Sequence, residues 1–159
     1  MKKIVFIYVG HSNWGKSMAL KELTYGSSRI KTTEISSHTF RVRKMSNDDD
    51  GQGLLDWVRD IHRINYHRFI IAFCPKLPPS TGEATEEQNI GFDILLELQK
   101  TNELFFFVQK EKFGDSTKHI SEDEINWLMN YGNVHILSGQ NEYYTRATEF
   151  KKFISSNIQ

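Results

Sequence analysis

Cysteine, proline and net charge are all scarce in this chain, and each scarcity excludes a class of protein. Cys74 is the only cysteine among 159 residues, so an internal disulfide is excluded and a small buried side chain is expected. The three prolines all lie in residues 75–82, which are therefore expected to form a loop. Lysine plus arginine and aspartate plus glutamate both total 20, and this zero net charge argues against a broad nucleic-acid-binding surface.

Long hydrophobic runs and metal-ligand patterns are also missing. The first apolar run, residues 4–9, is too short for a signal peptide or a membrane span, so we expect a cytoplasmic protein that does not bind membranes. The six histidines do not stand at a metal-ligand spacing from cysteine, aspartate or glutamate. The motifs G-x-S-x-G, H-E-x-x-H and C-x-x-C are absent, so the chemistries that they carry are not indicated.

Short apolar runs that alternate with segments of helical periodicity indicate the fold class. Residues 69–73 and 104–108 are continuous apolar runs, which is typical of buried parallel strands. The alternation predicts one α/β domain over residues 1–159, with three α/β/α layers and a mostly parallel sheet. The predicted strands are 4–9, 30–35, 39–45, 69–73, 104–108 and 134–137, of which 39–45 is expected to be exposed or at an edge because of its charges. The predicted helices are 15–25, 54–66, one after a capping box at Thr85, one from a capping box at Ser121 to about residue 130, and a last one marked by Tyr143, Ala147, Phe150 and Ile154, whereas 47–53 is expected to be an acidic turn.

Residues 10–17, G-H-S-N-W-G-K-S, are the most specific motif in the chain. They match G-x-x-x-x-G-K-[ST], the phosphate-binding loop, and they stand between an apolar run and a helix-prone segment, as that loop requires. The glycines let backbone N–H groups turn toward phosphate oxygens, and the helix N-terminus adds partial positive charge. Lys16 is expected to reach the β- and γ-phosphates, and the Ser17 hydroxyl is expected to ligate Mg²⁺. The nucleotide-binding residues predicted from this segment are Gly10, Asn13, Trp14, Gly15, Lys16, Ser17 and Met18.

The same segment carries a resemblance to a known family. Asn13 and the pair Lys16-Ser17, with an A-L pair at 19–20 and an L-T pair at 23–24, resemble the loop and first helix of translation-factor-class GTPases. The similarity is greatest to Era-like and ribosome-assembly GTPases, whose loop reads G-x-x-N-x-G-K-S. This resemblance implies a small-GTPase-like P-loop NTPase fold, a GTP or GDP ligand, Mg²⁺ as the cofactor and phosphoryl transfer to water as the reaction.

The resemblance also implies a set of metal and catalytic residues after the first helix. The family uses a threonine to close over Mg²⁺, and both Thr32 and Thr33 stand in the right region, with Thr33 our candidate ligand. The family's D-x-x-G motif corresponds to residues 48–51, which implies that Asp48 holds Mg²⁺ through water. Gln52 follows where some GTPases place a water-orienting glutamine. Three aspartates before a glycine are also typical of a solvated turn.

The base-recognition motif departs from the family pattern. The family carries N-K-x-D after a strand, and the corresponding residues 109–112 read Q-K-E-K, so Gln109 and Lys110 are candidate nucleotide contacts. Lys112 replaces the aspartate that accepts hydrogen bonds from guanine, and a lysine offers donors only. Ser138 lies where the family has the turn behind the base. Guanine preference is therefore left open, and ATP or ADP are alternative ligands. The nearest alternative acceptors are Glu111 and Asp115.

Three functions remain compatible with the sequence. The first is a GTPase-like switch that hydrolyses a nucleoside triphosphate, with Lys16 and Gln52 as catalytic residues and a protein partner that contacts the switch region 32–53. The second is a nucleotide-kinase-type phosphotransferase, which is disfavoured because the strand 69–73 ends without a carboxylate and the loop 75–82 has no arginine. The third is a degenerate nucleotide-binding domain that serves protein interaction.

Overall fold

The computed structural model describes residues 2–158, which form a central sheet, a small hairpin and five α-helices. The strands are β1 (Lys3–Val9), β2 (Thr32–Ile35), β3 (His38–Arg43), β4 (Arg68–Phe73), β5 (Asn102–Gln109), β6 (Glu111–Lys112), β7 (Asp115–His119) and β8 (Asn133–Leu137). The helices are α1 (Lys16–Leu23), α2 (Asn47–Arg59), α3 (Glu86–Thr101), α4 (Glu122–Met129) and α5 (Tyr143–Asn157), and a short 3₁₀ turn (Ile61–Arg63) follows α2.

The central sheet has six strands in the order β2-β3-β4-β1-β5-β8. All its pairings are parallel except that of β2 with β3, so the prediction of an α/β fold with a mostly parallel sheet is confirmed. β1 lies in the interior of the sheet between β4 and β5. Parallel strands join through helical crossovers, which cover both faces and explain the continuous apolar runs.

Two apolar clusters cover the two faces of the sheet. Val5, Ile7 and Val9 of β1 pack into the cluster that contains apolar residues of α2, α3 and α4. Phe6 and Tyr8 point the other way and pack with residues of α1 and α5. Because successive side chains of a strand alternate between faces, β1 contributes to both clusters. The helices therefore lie in two layers, one on each side of the sheet.

The strand predicted over residues 39–45 is not at the sheet edge, which corrects that expectation. β3 lies between β2 and β4, and β2 forms the edge. Ser36 and Ser37 both have positive φ and make a tight turn that folds β2 back onto β3. Phe40 and Val42 are buried on one face, so the charged residues of the strand alternate with core residues rather than marking an edge.

The acidic segment 47–53 is helical rather than a turn, which is a second correction. It forms the first half of α2, which begins after Ser46. The Asp49 carboxylate accepts from the Ser46 backbone N–H at 3.2 Å and completes a capping box. Carboxylates in a first turn interact favourably with the helix dipole, so the charges that indicated a turn stabilise a helix start. Asp50 has non-helical angles and kinks the helix.

Several other local predictions are confirmed. The capping boxes at Thr85 and Ser121 begin α3 and α4. Cys74 is fully buried, and residues 75–82 contain neither helix nor strand. The β6–β7 hairpin has no counterpart among the predicted elements. Within residues 2–158, none of the helices is long and apolar enough to cross a membrane.

Candidate functional site

The 10–17 segment joins the carboxyl end of β1 to the first turn of α1. The Gly10 N–H donates to the Phe73 carbonyl of β4 at 3.2 Å, which holds the start of the loop against the neighbouring strand. A Cβ on Gly10 would lie 3.3 Å from the Lys16 Cγ, so the loop closes tightly over its own lysine. The N-terminus of α1 faces the loop, and helix N-termini at the carboxyl edge of a parallel sheet bind anions readily.

Gly15 is required by both its backbone angles and its surroundings. Its φ of +83° lies in the left-handed region, and a Cβ there would lie 2.7 Å from the Arg146 Nη2. Asn13 has a φ of 66°, which asparagine tolerates better than most residues. These two left-handed residues turn the chain between β1 and α1.

A first cavity of about 280 Å³, the loop cavity, lies at the start of α1. Lys16 is 6% exposed, and its Nζ donates to the His11 carbonyl at 2.9 Å and lies 3.5 Å from the Asp48 Oδ2. The same carboxylate oxygen accepts from the Ser12 hydroxyl at 2.9 Å. The residues that line the loop cavity are Asn13, Gly15, Lys16, Ser17, Asp48 and Asp49.

The groups in the loop cavity are compatible with a magnesium ion. The Asp48 Oδ1 is buried and has no hydrogen-bond partner within the described residues, so it retains a lone pair for a further ligand. The exposed Ser17 lines the same cavity. Mg²⁺ is commonly bound by one or two carboxylates together with substrate phosphates. Residues 2–158 contain no cluster of three or more histidine, cysteine, aspartate or glutamate side chains that could hold a metal without a substrate.

Asp48 reaches the loop because Asn47 anchors the start of α2. The Asn47 Nδ2 donates to the Cys74 carbonyl at 2.8 Å, and its Oδ1 accepts from the Cys74 N–H at 2.6 Å. Cys74 directly follows β4, the strand beside β1. This pair of hydrogen bonds therefore fixes the acidic helix start next to the loop. The Asn47 contact has no signal in the sequence, because it joins residues from two different strand–helix units.

A second cavity of about 320 Å³, the aromatic cavity, adjoins the loop cavity. Both cavities are lined by Asn13 and Gly15, so they adjoin each other at the loop. The lining of the aromatic cavity includes the exposed apolar residues Met18, Phe113 and Tyr143, the buried Trp14, and the polar residues Lys112, Glu142 and Arg146. Rings combined with a few polar groups are typical of ligand pockets.

Gln140 fixes the hairpin that forms one wall of the aromatic cavity. Its Oε1 accepts from the Gly114 N–H at 2.7 Å, and its Nε2 donates to the Lys112 carbonyl at 3.0 Å. The turn after β8 thereby holds the β6–β7 hairpin, which carries Phe113 over the cavity.

Arg146 is a functional candidate that sequence reasoning missed. This side chain is 3% exposed, and its Nε donates to the Tyr8 hydroxyl at 2.7 Å. Its Nη2 donates to the Trp14 carbonyl at 3.2 Å, and a further bond runs to the Asn141 carbonyl. The partners found among residues 2–158 are all neutral. Arg146 stands four residues before Phe150 on the apolar face of α5, and that placement is the signal that could have revealed it.

Tyr8 extends this network beneath the loop. Its hydroxyl donates to the Gln109 Oε1 at 2.8 Å. Burial raises the pKa of Tyr8 well above its ordinary value, although the adjacent Arg146 opposes that shift. Gln109 is buried in this network and does not line either cavity. In this position Gln109 lies beneath the loop, and its contact with a nucleotide stays a prediction.

Two other predicted contacts of the base lie elsewhere. Lys110 pairs with Glu122 of α4 at 3.3 Å, and Ser138 is exposed. Neither residue lines the aromatic cavity, whereas Trp14 and Met18 do line it, as a nucleotide-contacting role requires.

Two predicted metal or catalytic residues are also not brought to the loop. The Thr33 hydroxyl is buried and donates to the Leu23 carbonyl at 2.5 Å, at the end of α1 opposite to Ser17. Six residue steps of α-helix separate Ser17 from Leu23 by about 9 Å, so Thr33 does not share a metal with Ser17 in this arrangement. The Gln52 Nε2 donates to the Asp56 Oδ1 at 2.8 Å, and Gln52 does not line the loop cavity. Its predicted water-orienting role is therefore not supported by its position.

His11 forms an ion pair on the side of the loop that faces α4. Its Nε2 lies 3.1 Å from the Glu124 Oε2, and its Nδ1 lies 3.9 Å from the Cys74 Sγ. Burial alone lowers the pKa of His11, but hydrogen bonds with Cys74 and Glu124 and the charge of the Glu124 carboxylate raise it to about 9. The imidazolium form therefore ties the loop to α4 at neutral pH.

The ion pair between His11 and Glu124 should make the protein less stable at alkaline pH than at neutral pH. The pKa of His11 rises from an ordinary 6.5 to about 9 on folding, so its contribution is complete below 6.5 and lost as pH rises through 9. Solvent screening of this part-exposed ring reduces the contribution to about 1 kcal/mol. Urea unfolding at pH 7 and pH 10 should show this extra loss in the wild type relative to His11→Gln. An NMR titration that gave His11 an ordinary pKa would contradict the expectation.

Comparisons with known proteins identify a similar fold but no family. The chain matches no protein-family profile and no curated protein sequence. The crystal structure of APE1195 is similar over 99% of this chain and 98% of that one, with a TM-score of 0.51 and 11% identity. This likeness concerns the fold alone. A flavodoxin-like domain from Synechococcus sp. covers 96% of this chain and 99% of its own, at 15% identity and a TM-score of 0.38.

Proposed function

We propose that this protein binds a nucleoside triphosphate with Mg²⁺ and hydrolyses it slowly, as a small-GTPase-like switch with a fold of the P-loop NTPase type. The observation that carries the proposal is the meeting of Lys16, Ser17 and Asp48 in one cavity at the N-terminus of α1. A cation, a hydroxyl and a carboxylate beside a helix N-terminus are the groups that a triphosphate and its Mg²⁺ need.

The loop cavity would take the phosphates. Lys16 would neutralise charge on the β- and γ-phosphates, and backbone N–H groups of the loop would donate to their oxygens. The residues that would hold Mg²⁺ are Ser17 through its hydroxyl and Asp48 through its carboxylate, whose Oδ1 has no other partner within residues 2–158. The ion would supply charge neutralisation between the phosphates.

The aromatic cavity would take the base. It adjoins the loop cavity at Asn13 and Gly15, so one ligand can occupy both. The exposed Phe113 and Tyr143 side chains offer ring surfaces, and stacking of a base on such rings is favourable for every base. This geometry supports a nucleotide rather than an isolated phosphate as the ligand.

Slow hydrolysis follows from what the loop cavity contains. Its lining offers Lys16 and Asp48 but not Gln52, so a side chain that orients the attacking water must come from rearrangement or from a partner. Of the expected switch region 32–53, only Asp48 and Asp49 at the start of α2 reach this cavity. We infer that a protein partner would sense the bound nucleotide through the first turn of α2.

Calorimetric titration with GTP, GDP, ATP and ADP, with and without Mg²⁺, tests the proposal together with a phosphate-release assay. Tight Mg²⁺-dependent binding of a triphosphate followed by slow phosphate release is the expected result. Transfer of phosphate to an added nucleoside monophosphate would instead indicate the phosphotransferase alternative. Binding without any turnover would indicate the interaction domain, and no binding of any nucleotide would overturn the proposal.

Lys112→Asp tests which base occupies the aromatic cavity. Lys112 lines that cavity and offers only donors, whereas an aspartate accepts from guanine N1–H and N2–H₂ but not from adenine N1. The ratio of GTP to ATP affinity should therefore rise about tenfold, as expected for hydrogen bonds to a charged group. Lys118→Asp is the matched control, since this exposed residue lies on the same hairpin outside the cavity. An equal change in both variants would place the base elsewhere.

A further inference from the structure

A third cavity, the basic cavity, lies beside the edge of the sheet and has a volume of about 290 Å³. Four cationic residues line it, and among residues 2–158 no carboxylate does so. The charged residues of this lining are therefore all positive, although the chain as a whole has a net charge of zero. The cationic lining residues are Lys31, Arg41, Arg43 and Lys44, and Trp57 of α2 forms an apolar part of the wall.

The strand geometry of β3 brings the two arginines together. Arg41 and Arg43 are two residues apart in a strand, so their side chains leave the same face of the sheet. β2 pairs with β3 only as far as Arg41. Lys31, the residue before β2, continues this pairing by one hydrogen bond, since its carbonyl accepts from the Val42 N–H at 2.7 Å. The Arg43 guanidinium carbon lies 5.7 Å from the centre of the Trp57 ring, which completes the wall.

The two arginines have unsatisfied hydrogen-bonding capacity. The Nε atoms of Arg41 and Arg43 are buried, and neither has a hydrogen-bond partner in the part of the chain that the structure describes. Within that part, the cationic groups lining the cavity form no ion pair at 4.0 Å or less. A buried donor without a partner costs about 1–3 kcal/mol, so both side chains would gain from an acceptor brought into the cavity.

Burial and nearby positive charge act on two of the cationic lining residues. Burial lowers the pKa of Arg43, and the charge of Arg41 lowers it further although Asp50 opposes this. Burial and the charge of Lys21 lower the pKa of Lys44. An anion in the basic cavity would relieve both effects.

We propose that the basic cavity binds the phosphate group of a small phosphorylated molecule. Guanidinium groups present paired donors that match phosphate oxygens, and charge-assisted bonds of this kind are about twice as strong as neutral ones. The cavity is large enough for a phosphate and a small organic group, whereas a nucleic acid would require a wider basic surface. The lining residues differ from those of the loop cavity, so this site does not depend on nucleotide binding.

Titration with inorganic phosphate, followed by the amide resonances of a nitrogen-15-labelled sample, tests this proposal. Saturable shifts are expected at residues 31 and 41–45, and they should persist in Lys16→Ala, which disables the loop cavity alone. Arg41→Gln/Arg43→Gln should weaken this binding about tenfold or more. Arg59→Gln/Arg63→Gln removes the same charge from exposed arginines outside the cavity and should leave the affinity unchanged. Unfolding curves of both double variants establish that they remain folded.

The ligand class is tested with ribose 5-phosphate and a short single-stranded oligonucleotide. The sugar phosphate should bind at least as tightly as inorganic phosphate and shift the same residues. Tighter oligonucleotide binding with shifts that spread beyond the cavity would overturn the assignment to a small molecule. Shifts confined to residues 10–17, or no shift at 41–45, would overturn the site itself. Nucleotide binding at the loop cavity is measured by separate titrations, so the two proposals can fail separately.

Discussion

Lys16→Ala is expected to weaken nucleoside triphosphate binding by about a hundredfold or more, since it removes at least two charge-assisted contacts to the β- and γ-phosphates. Lys16 is almost fully buried, and its Nζ is held between the His11 carbonyl and the Asp48 carboxylate. The ammonium group is therefore positioned before the ligand arrives, and no other lysine or arginine lines the loop cavity within the described residues. Isothermal titration calorimetry with the preferred triphosphate measures the loss.

Lys21→Ala is the matched control for that substitution. Lys21 lies in the last turn of the same helix and does not line the loop cavity, so its removal should leave affinity within about twofold. Circular dichroism should show that both variants retain the α/β fold. Unchanged triphosphate affinity in Lys16→Ala would contradict the assignment of residues 10–17 as the phosphate site.

Arg146→Met should lower the free energy of unfolding by about 2–4 kcal/mol, because methionine fills the space but leaves several buried acceptors without donors. The acceptors that Arg146 now satisfies are the Tyr8 hydroxyl and the carbonyls of Trp14, Gly15 and Asn141. Two of these carbonyls belong to the loop. Loss of these hydrogen bonds to the loop should also weaken triphosphate binding under conditions where the variant is still folded. Urea unfolding and calorimetry measure the two effects.

Arg63→Met distinguishes this effect from a general cost of removing arginine. The Arg63 side chain is 76% exposed and lies 3.8 Å from the Asp60 carboxylate on its own helical turn, so stability should change by less than about 0.5 kcal/mol. Equal stability of Arg146→Met and the wild type would show that the hydrogen bonds to the loop carry no net energy. If Arg146→Met lowers stability but leaves nucleotide affinity unchanged, Arg146 stabilises the fold and does not contribute to nucleotide binding.

Local sequence patterns predicted most of the elements correctly for identifiable reasons. The runs at 69–73 and 104–108 became β4 and β5, because strands buried on both faces need apolar residues at every position. The capping boxes that begin α3 and α4 use side chains three residues apart, so they were visible without any tertiary information.

The failed predictions share a different cause. The acidic segment 47–53 has the composition of a turn, but a cap at Ser46 and the anchoring of Asn47 on Cys74 make it a helix start. Thr33 and Gln52 were assigned by their order in the family that the sequence resembles. Their hydroxyl and amide instead satisfy nearby carbonyl and carboxylate groups. Such partner choices depend on packing that order along the chain does not specify.

The sequence by itself determined the α/β class and predicted a phosphate-binding loop at residues 10–17, because both depend on short-range spacing of glycines, apolar residues and caps. The tertiary structure alone decided which distant groups surround the loop. It brought Asp48 to Lys16, seated Arg146 under Gly15, and assembled an aromatic cavity from the loop, the β6–β7 hairpin and the start of α5. These contacts join residues separated by as many as about 130 positions. They arise from strand order and helix packing, which local patterns do not encode.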